Sequence, residues 1–359
     1  MPTIPTIDKL DPNFAVPDAE KGLLWYDLRT LDLEGQGFSD TLRPYHRLPA
    51  RAEKLVPDEV WWLSHHAAGL STRFITDATS FSMRWTLGRP SIAMPHMPAT
   101  GVSGFDLYMR KGEAWKFLGV ARPREFPQNQ ELLIQSLVPA ERTCTLYLPL
   151  YNELLEAWIG IPQDATLAKA PPRPAKLSKP IVFYGTSVVQ GGCASRPGMS
   201  HTNILGRRLD RPIINLGFSG NGKAELALAQ LLAEIDAAVY VIDTLPNMSH
   251  EMARERIVPF VRTLWQARPS VPIILVDHFI YSREDEVKWM KDLQRDFVVV
   301  LTEAIAQLES EGMRSLFRVE ATHLLGGDSD CTVDGTHPTD MGFMHLAEAL
   351  LPTLRLALG

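Results

Sequence analysis

The sequence predicts an α/β protein of two domains, a β-sandwich followed by a parallel sheet that helices cover on both faces. Three observations carry this prediction. Short alternating runs fill the first half of the chain, apolar strands alternate with amphipathic segments in the second half, and a proline-rich stretch separates the two. At 359 residues the chain is long enough to build two hydrophobic cores.

The first half contains β-type runs separated by turn residues, for example at positions 72–76, 81–86 and 143–148. Apolar and polar residues alternate in these runs with a period of two, which is typical of half-buried antiparallel strands. We therefore expect a β-sandwich or jelly roll over residues 1–165. Four tryptophans of this half are expected to be core residues rather than a sugar-binding platform, namely Trp61, Trp62, Trp85 and Trp115.

Prolines are concentrated between the two halves, at Pro171, Pro172 and Pro174. Proline lacks the backbone N–H that a helix interior or a central strand requires. We therefore expect residues 166–179 to form a semi-rigid linker, with the second domain at residues 180–359.

Five apolar runs in the second half predict strands, at positions 181–184, 213–216, 239–242, 273–276 and 316–319. Amphipathic segments predict helices between them, at positions 200–209, 223–235, 249–268 and 284–311, with a last helix after Thr339. Apolar strands joined by helices indicate a parallel sheet that is covered on both faces. In such sheets, ligand sites form at the carboxyl ends of the strands.

The composition restricts the class of partner. A net charge of -6 with mixed signs argues against nucleic acid or an anionic membrane as partner. No segment is apolar over the roughly 18 residues that a membrane span requires, and the first residues lack the features of a signal peptide. The three cysteines, Cys144, Cys193 and Cys331, show no CxxC spacing and suit a reducing compartment. We expect a cytoplasmic protein with a small-molecule partner, no cofactor and no metal, and the sequence leaves the possibility of a homo-oligomer open.

A serine directly follows the first strand of the predicted parallel sheet. Ser187 lies two residues after Gly185, which permits a tight turn from strand to loop. A serine hydroxyl is a poor nucleophile unless a neighbouring base takes its proton. The chemistry therefore requires a histidine nearby.

His337 is the best candidate for that base, because it lies in a loop between the last strand and the final helix. Asp334 is three residues earlier, and Gly335 and Pro338 are typical turn residues. This spacing lets the carboxylate reach the ring nitrogen that does not face the serine, which fixes the tautomer and stabilises the imidazolium. Ser187, His337 and Asp334 are thus the candidate catalytic residues.

Acyl transfer also requires hydrogen-bond donors for the developing oxyanion. The loop after the second strand contains Gly217 and Gly220, where a backbone N–H can approach a ligand closely. Asn247 follows the third strand and offers a side-chain amide. Serine, glycine, asparagine and histidine therefore follow strands one, two, three and five in that order.

This order resembles the conserved blocks of the SGNH (GDSL-like) hydrolases. The run 185–187 (Gly-Thr-Ser) is similar to the first block, Gly220 to the glycine of the second, Asn247 to the asparagine of the third, and 334–337 to the Asp-x-x-His of the last. The first block has Thr186 where the family has aspartate, and the third reads Leu-Pro-Asn-Met instead of Gly-x-Asn-Asp. Both departures retain the groups that catalysis requires, the serine hydroxyl of the first block and the asparagine amide of the third.

In the first half, residues 104–108 read Gly-Phe-Asp-Leu-Tyr. They resemble the Gly-x-Asp-Leu-Tyr signature of the β-domain that precedes the hydrolase in one two-domain bacterial branch. Asp106 and Tyr108 alternate with apolar residues in this run, and we expect them to form a buried hydrogen bond that holds the β-domain together.

The resemblance implies a flavodoxin-like three-layer α/β/α hydrolase domain. It also implies an oxyanion hole made by the backbone of Ser187, the backbone of Gly220 and the side chain of Asn247. The implied activity is a serine esterase that removes small acyl groups, acetyl above all, from a carbohydrate or polyol through an acyl-enzyme. Two alternatives stay open: an acyltransferase or thioesterase with the same triad, and a carbohydrate-binding protein with an inactive hydrolase domain. The sequence matches the α/β-hydrolases less well, because the turn that carries their nucleophile reads Gly-x-Ser-x-Gly and its second glycine is missing here.

Several other polar residues lie in these loops and strands. His96 is expected to approach the active site from the β-domain and, with Thr186, to contact substrate. Asp277 and His278 are adjacent on a strand, so their side chains point to opposite faces and do not form a pair. Four residues before the triad loop lack the spacing of metal ligands and are expected in a solvated loop, namely His323, Asp328, Asp330 and Cys331.

Overall fold

A computed structural model of the chain describes residues 15–18, 22–281, 283–325 and 329–359. Within these residues the strands form two antiparallel sheets and one parallel sheet, so the predicted α/β class is confirmed. In this part of the chain we find no helix that is both long and apolar enough to cross a membrane.

The two antiparallel sheets form a sandwich in the first half of the chain. Their strands are β1 (Ala15–Asp18), β2 (Leu23–Asp27), β3 (Asp32–Glu34), β4 (Ser71–Thr76), β5 (Phe81–Leu87), β6 (Phe105–Lys111), β7 (Ala114–Ala121), β8 (Gln128–Ile134), β9 (Arg142–Tyr147), β10 (Leu154–Pro162) and β11 (Leu167–Lys169). One sheet has the order β1-β2-β10-β5-β8, and the other has the order β11-β4-β9-β6-β7 with β3 beside β4. Buried side chains from both sheets, such as Met83 and Leu107, share one hydrophobic cluster.

Packing between the two halves crosses the predicted domain limits. Strand β11 lies inside the predicted linker of residues 166–179 and pairs with β4. Between β3 and β4, helix α1 (Asp58–Ser64) contributes Val60 and Leu63 to a cluster that also contains Leu228 of the second half. Residues assigned from sequence to the β-domain therefore help to build the core of the α/β half.

The parallel sheet has five strands in the order β13-β12-β14-β15-β16. They are β12 (Ile181–Gly185), β13 (Ile213–Gly217), β14 (Val239–Asp243), β15 (Ile273–Val276) and β16 (Leu316–Val319). The remaining helices are α2 (Ala99–Val102), α3 (Ala175–Ser178), α4 (Ser187–Gln190), α5 (His201–Leu209), α6 (Leu226–Glu234), α7 (His250–Ala267), α8 (Lys288–Ser310) and α9 (Asp340–Leu358). Each strand agrees with its predicted run to within one residue.

Helices cover both faces of this sheet, as alternate residues of β12 show. Val182 and Tyr184 pack in a cluster with residues of α6, α7 and α8. Ile181 and Phe183 pack in a second cluster with residues of α5 and α9. The order of layers is therefore α/β/α, as predicted, and the carboxyl ends of the strands remain available for a site.

Two helices begin later than their sequence patterns predicted. Helix α6 begins at Leu226 rather than at position 223, because Ala224 has a φ of 53°, outside the right-handed helical region. Helix α8 begins at Lys288 rather than at position 284, because Val287 is extended with φ of -123° and ψ of 92°.

Candidate active site

The turn after β12 positions Ser187 at the carboxyl edge of the parallel sheet. Gly185 ends the strand, and a Cβ there would lie 2.1 Å from the carbonyl oxygen of Asp243, so the position excludes any side chain. The fully buried Thr186 caps α4, since its hydroxyl accepts a hydrogen bond from the N–H of Val188 at 3.3 Å. Ser187 is the first residue of that short helix and is 8% exposed.

Ser187, His337 and Asp334 lie in one hydrogen-bonded chain. The Oγ of Ser187 is 3.0 Å from Nε2 of His337, and Nδ1 of His337 is 2.8 Å from Oδ2 of Asp334. The other carboxylate oxygen accepts hydrogen bonds from the N–H groups of His337, at 2.8 Å, and Thr336, at 3.0 Å. The turn thus holds the carboxylate against the ring, as the spacing of three residues predicted.

The surroundings of Asp334 favour its ionised form. Partial burial alone would raise the pKa of this carboxyl, but the hydrogen bonds from the backbone and ring of His337 and from the N–H of Thr336 outweigh it and lower the pKa to about 2. Asp334 is therefore negative at neutral pH and can stabilise a positive charge on the imidazole of His337.

Three candidate oxyanion donors follow the carboxyl ends of three neighbouring strands: the N–H of Ser187 after β12, the N–H of Gly220 after β13 and the Nδ2 of Asn247 after β14. Within the described ranges, none of the three has an acceptor in the chain. The Oδ1 of Asn247 accepts from the N–H of Gly222 at 3.2 Å, which orients the amide. Donors that are fixed and unused are what an oxyanion requires.

The structure distinguishes the two glycines of the loop after β13. The N–H of Gly217 donates to Oδ1 of Asn215 at 2.9 Å, and a Cβ at Gly217 would lie 2.2 Å from the backbone N of Gln190. Gly217 is therefore a packing residue with an occupied donor. Gly220 is exposed, has a φ of 71° and keeps its N–H available.

Gln190 holds this loop, and the sequence reasoning missed it. The side chain of Gln190 is fully buried, and its Oε1 accepts from the N–H of Ser219 at 3.0 Å. Its Nε2 lies 3.1 Å from the carbonyl oxygen of Leu150 and 3.0 Å from Nδ1 of His66. Gln190 thus fixes the residue before Gly220. Its position three residues after Ser187, in the same short helix α4, is the feature of the sequence that could have identified it.

Arg47 holds the same loop from the first half of the chain, and it was also missed. Its Nη1 donates to the carbonyl oxygens of Gly217, at 2.7 Å, and Asn215, at 3.0 Å, and its guanidinium lies 4.9 Å from the ring centroid of Phe218. Complete burial lowers the pKa of Arg47 to about 9, so the side chain stays charged at neutral pH. A contact this distant in sequence has no local signal.

The residues of the Gly-x-Asp-Leu-Tyr run connect the two halves. Asp106 is fully buried and accepts from the N–H of Gly198 at 2.9 Å, and it forms an ion pair with Arg196. The guanidinium of Arg196 also donates to the hydroxyl of Tyr108. The expectation of a bond within the β-domain was therefore wrong, because the loop after α4 docks on β6 and supplies the partners.

His96 lies beside His337, with 5.5 Å between the centroids of the two rings. Tyr151 also reaches the site, since its hydroxyl donates to the carbonyl oxygen of Ser187 at 3.2 Å. Both come from the first half of the chain. Contact of His96 and Thr186 with substrate stays a prediction, and the hydroxyl of Thr186 serves the helix cap.

Asp277 and His278, which the sequence excluded as a catalytic pair, each have another partner. Asp277 accepts from Nε of Arg318 at 2.7 Å, whereas Nδ1 of His278 lies 2.7 Å from the carbonyl oxygen of Phe279. Burial lowers the pKa of His278 to about 4. Of the residues set aside as metal ligands, Asp328 and the side chain of His323 lie outside the described residues.

The four tryptophans differ in burial. Trp85 is buried in the sandwich, and Trp61 packs on the core of the α/β half. Trp115 is half-buried, with Arg110 above its ring. Trp62 is 45% exposed, so its assignment to the core was wrong: it faces outward from α1, covered in part by Arg89.

Comparisons with known proteins agree with this architecture. Residues 178–355 match the model of the GDSL-like lipase/acylhydrolase family, and residues 23–167 match the model of the N-terminal part of SGNH-hydrolase-type esterases. A solved GDSL-like lipase from Bacteroides ovatus is 31% identical, with a TM-score of 0.88 over 94% of this chain and 98% of that one. A search of curated protein sequences gave no match.

Two further solved structures share the fold at low identity. The salicylyl-acyltransferase of a tetracycline biosynthetic pathway is 16% identical, with a TM-score of 0.74 over 95% of this chain and 96% of that one. An acetyl xylan esterase from the rumen bacterium Butyrivibrio proteoclasticus is 11% identical, with a TM-score of 0.56 over 94% of this chain and 99% of that one.

Proposed function

The chain belongs to the GDSL-like lipase/acylhydrolase family, and on this premise we propose that it is a serine esterase that works through an acyl-enzyme. One observation carries the proposal: the hydrogen-bonded chain from Ser187 through His337 to Asp334, with distances of 3.0 and 2.8 Å. This arrangement supplies a nucleophile, a base and a group that orients the base.

In the first half-reaction, Nε2 of His337 takes the proton of Ser187 while Oγ bonds to the ester carbonyl carbon. The N–H groups of Ser187 and Gly220 and the amide of Asn247 bind the oxygen that becomes negative. The bond to the alcohol then breaks, and His337 returns the proton to the leaving oxygen. Water repeats the sequence on the acyl-enzyme, which releases the acid and restores Ser187.

We propose that the substrate is a carbohydrate or polyol that carries small acyl groups as esters, above all acetyl groups. Ser187 is 8% exposed, and Tyr151 and His96 approach it and its base from the first half of the chain, which favours a small acyl group over a long one. The fold shared with an acetyl xylan esterase supports the same class of substrate.

An acyltransferase is the second candidate, because the fold is also that of a salicylyl-acyltransferase. The acyl-enzyme is common to both reactions, and the acceptor decides the outcome. We expect water to be the acceptor. The ratio of free acid to transferred ester, measured with an acetyl donor and increasing concentrations of a sugar alcohol, distinguishes the two. A product that is mostly ester at millimolar acceptor would favour the transferase.

The experiment for the proposed function is a hydrolysis profile over aryl esters of increasing acyl length, followed by acetylated sugars. Activity should be highest on acetyl esters. Ser187→Ala should lose activity by a factor of about a million. Ser178→Ala, at an exposed serine outside the site, is the matched control and should keep full activity. An active Ser187→Ala protein would contradict the proposal.

A further inference from the structure

Three side chains with metal-binding atoms meet beside Ser187. His96, Cys193 and His337 each offer one ligand atom, and these atoms lie within 4.8 Å of one another. No metal was expected from the sequence, which shows no paired-cysteine spacing. The three residues come from separate loops that only the fold brings together. Two imidazoles and one thiolate are ligands that Zn²⁺ prefers.

The backbones at His96 and Cys193 are each held by their own loop. His96 lies in a tight turn that is closed by hydrogen bonds between the backbones of Met94 and Met97 at 3.0 and 3.1 Å, and Met97 is buried. Cys193 has a φ of 74°, in the left-handed region that residues with a side chain rarely adopt. The N–H of Gly192 donates to the carbonyl oxygen of Ser187 at 2.8 Å, which fixes the chain just before Cys193.

We propose that His96, Cys193 and His337 form a binding site for a zinc ion that reversibly inhibits the enzyme. Bonds of about 2.0–2.3 Å require the ligand atoms to approach one another slightly, and His96, which is exposed, is free to make that adjustment. A water molecule supplies the fourth ligand. On binding, a zinc–sulfur bond forms and the thiol proton of Cys193 leaves to solvent, with no change of oxidation state.

Inhibition follows from the two nitrogens of His337, and this part of the inference rests on the proposed function. Nε2 faces the hydroxyl of Ser187 and Nδ1 faces the carboxylate of Asp334. Because proton transfer uses one nitrogen and orientation uses the other, a metal ion on either of them stops the reaction.

A second group of potential metal ligands lies beside positive charges that disfavour a cation. The ligand atoms of His46, His65 and Glu153 also lie within 4.8 Å of one another. However, the carboxylate of Glu153 is 3.6 Å from Nη1 of Arg43 and 3.8 Å from Nε of Arg89. Two guanidinium groups repel a further cation and already neutralise the carboxylate. Beside Ser187, by contrast, the carboxylate of Asp334 lies 2.8 Å from Nδ1 of His337, and this negative charge favours a cation there.

The test measures zinc binding directly on the metal-free full chain, by titration calorimetry with ZnCl₂. Wild type and Ser187→Ala should bind one ion. Cys193→Ser and His96→Asn should each weaken binding by at least about tenfold, which corresponds to about 1.4 kcal/mol. Cys144→Ala, which changes a buried cysteine of the sandwich, is the matched control and should bind as wild type does. Circular dichroism verifies that each variant is folded.

Esterase assays complete the test. Zinc should inhibit wild type at the concentrations at which it binds, and excess EDTA should restore the rate. Inhibition of Cys193→Ser and His96→Asn, each relative to its own zinc-free rate, should require proportionately more zinc. A chain that binds zinc but hydrolyses no ester would contradict the proposed function and leave the site intact. An active chain that binds no zinc, or binds it equally well in Cys193→Ser and His96→Asn, would overturn the site alone.

Discussion

The contact between Asp106 and the loop after α4 can be tested by removing the carboxylate. Asp106 is fully buried, and its oxygens accept from the N–H of Gly198 and from the guanidinium of Arg196. Asp106→Ala leaves the partly buried guanidinium of Arg196 without its carboxylate and the buried N–H of Gly198 without its acceptor. Breaking a buried pair in this way costs about 3–5 kcal/mol. For a protein of this size, in which 1 kcal/mol corresponds to about 1.3 °C, we expect a fall in Tm of about 4–7 °C.

The assay is thermal unfolding by calorimetry, with the rate on the best ester measured in parallel. Asp32→Ala is the control, since Asp32 forms an exposed pair with Lys169 at 2.7 Å, with side-chain exposures of 61% and 50%. An exposed pair contributes about 0–1 kcal/mol, so its Tm should change little. A decrease no larger for Asp106→Ala than for Asp32→Ala would refute the reasoning that the buried pair joins the two halves.

Three other changes test the site and its surroundings. Asn247→Ala should lower kcat by about a hundred- to a thousandfold with little change in KM, because an oxyanion donor acts in the transition state; a raised KM with unchanged kcat would make it a substrate-binding residue instead. Gln190→Ala should lower kcat more than it raises KM, because Ser219 and hence Gly220 lose their support, and the fold should persist by circular dichroism; an unchanged kcat would contradict this positioning role. Burial raises the pKa of Asp243 from 3.8 to about 7, so the native state loses stability as the pH rises from about 4 to 7. Relative to wild type, Asp243→Asn should therefore gain nothing at pH 4 and about 4 kcal/mol in free energy of unfolding at pH 8, measured by urea denaturation; an equal effect at both values would exclude this titration.

The fold of the α/β half could be predicted because its strands are continuous apolar runs, and burial on both faces leaves that pattern in the sequence. The helix starts were less accurate, because the backbone of Ala224 departs from helical geometry within an otherwise helical pattern. The sandwich was predicted as a class, from alternation, but not its order of strands. Pairing such as β2 with β10 joins residues more than 130 positions apart, and no local pattern encodes it.

The candidate site was predictable where its members are local or end a strand. Asp334 and His337 are three residues apart, and Ser187, Gly220 and Asn247 follow strands that end at one edge. Their supports could not be predicted in the same way. Arg47, for example, contacts carbonyl oxygens 168 and 170 residues later in the chain. Such contacts arise only when the two halves pack together.

Covalent labelling shows whether Ser187 is the nucleophile. The full chain is treated with an aryl fluorophosphonate, which bonds to an activated serine, and the modified peptide is identified by mass spectrometry. We expect one adduct per chain, located on Ser187 and absent from Ser187→Ala. A protein that hydrolyses esters but carries its adduct on another residue, or a Ser187→Ala variant that is still fully labelled, would contradict the assignment of Ser187 as nucleophile.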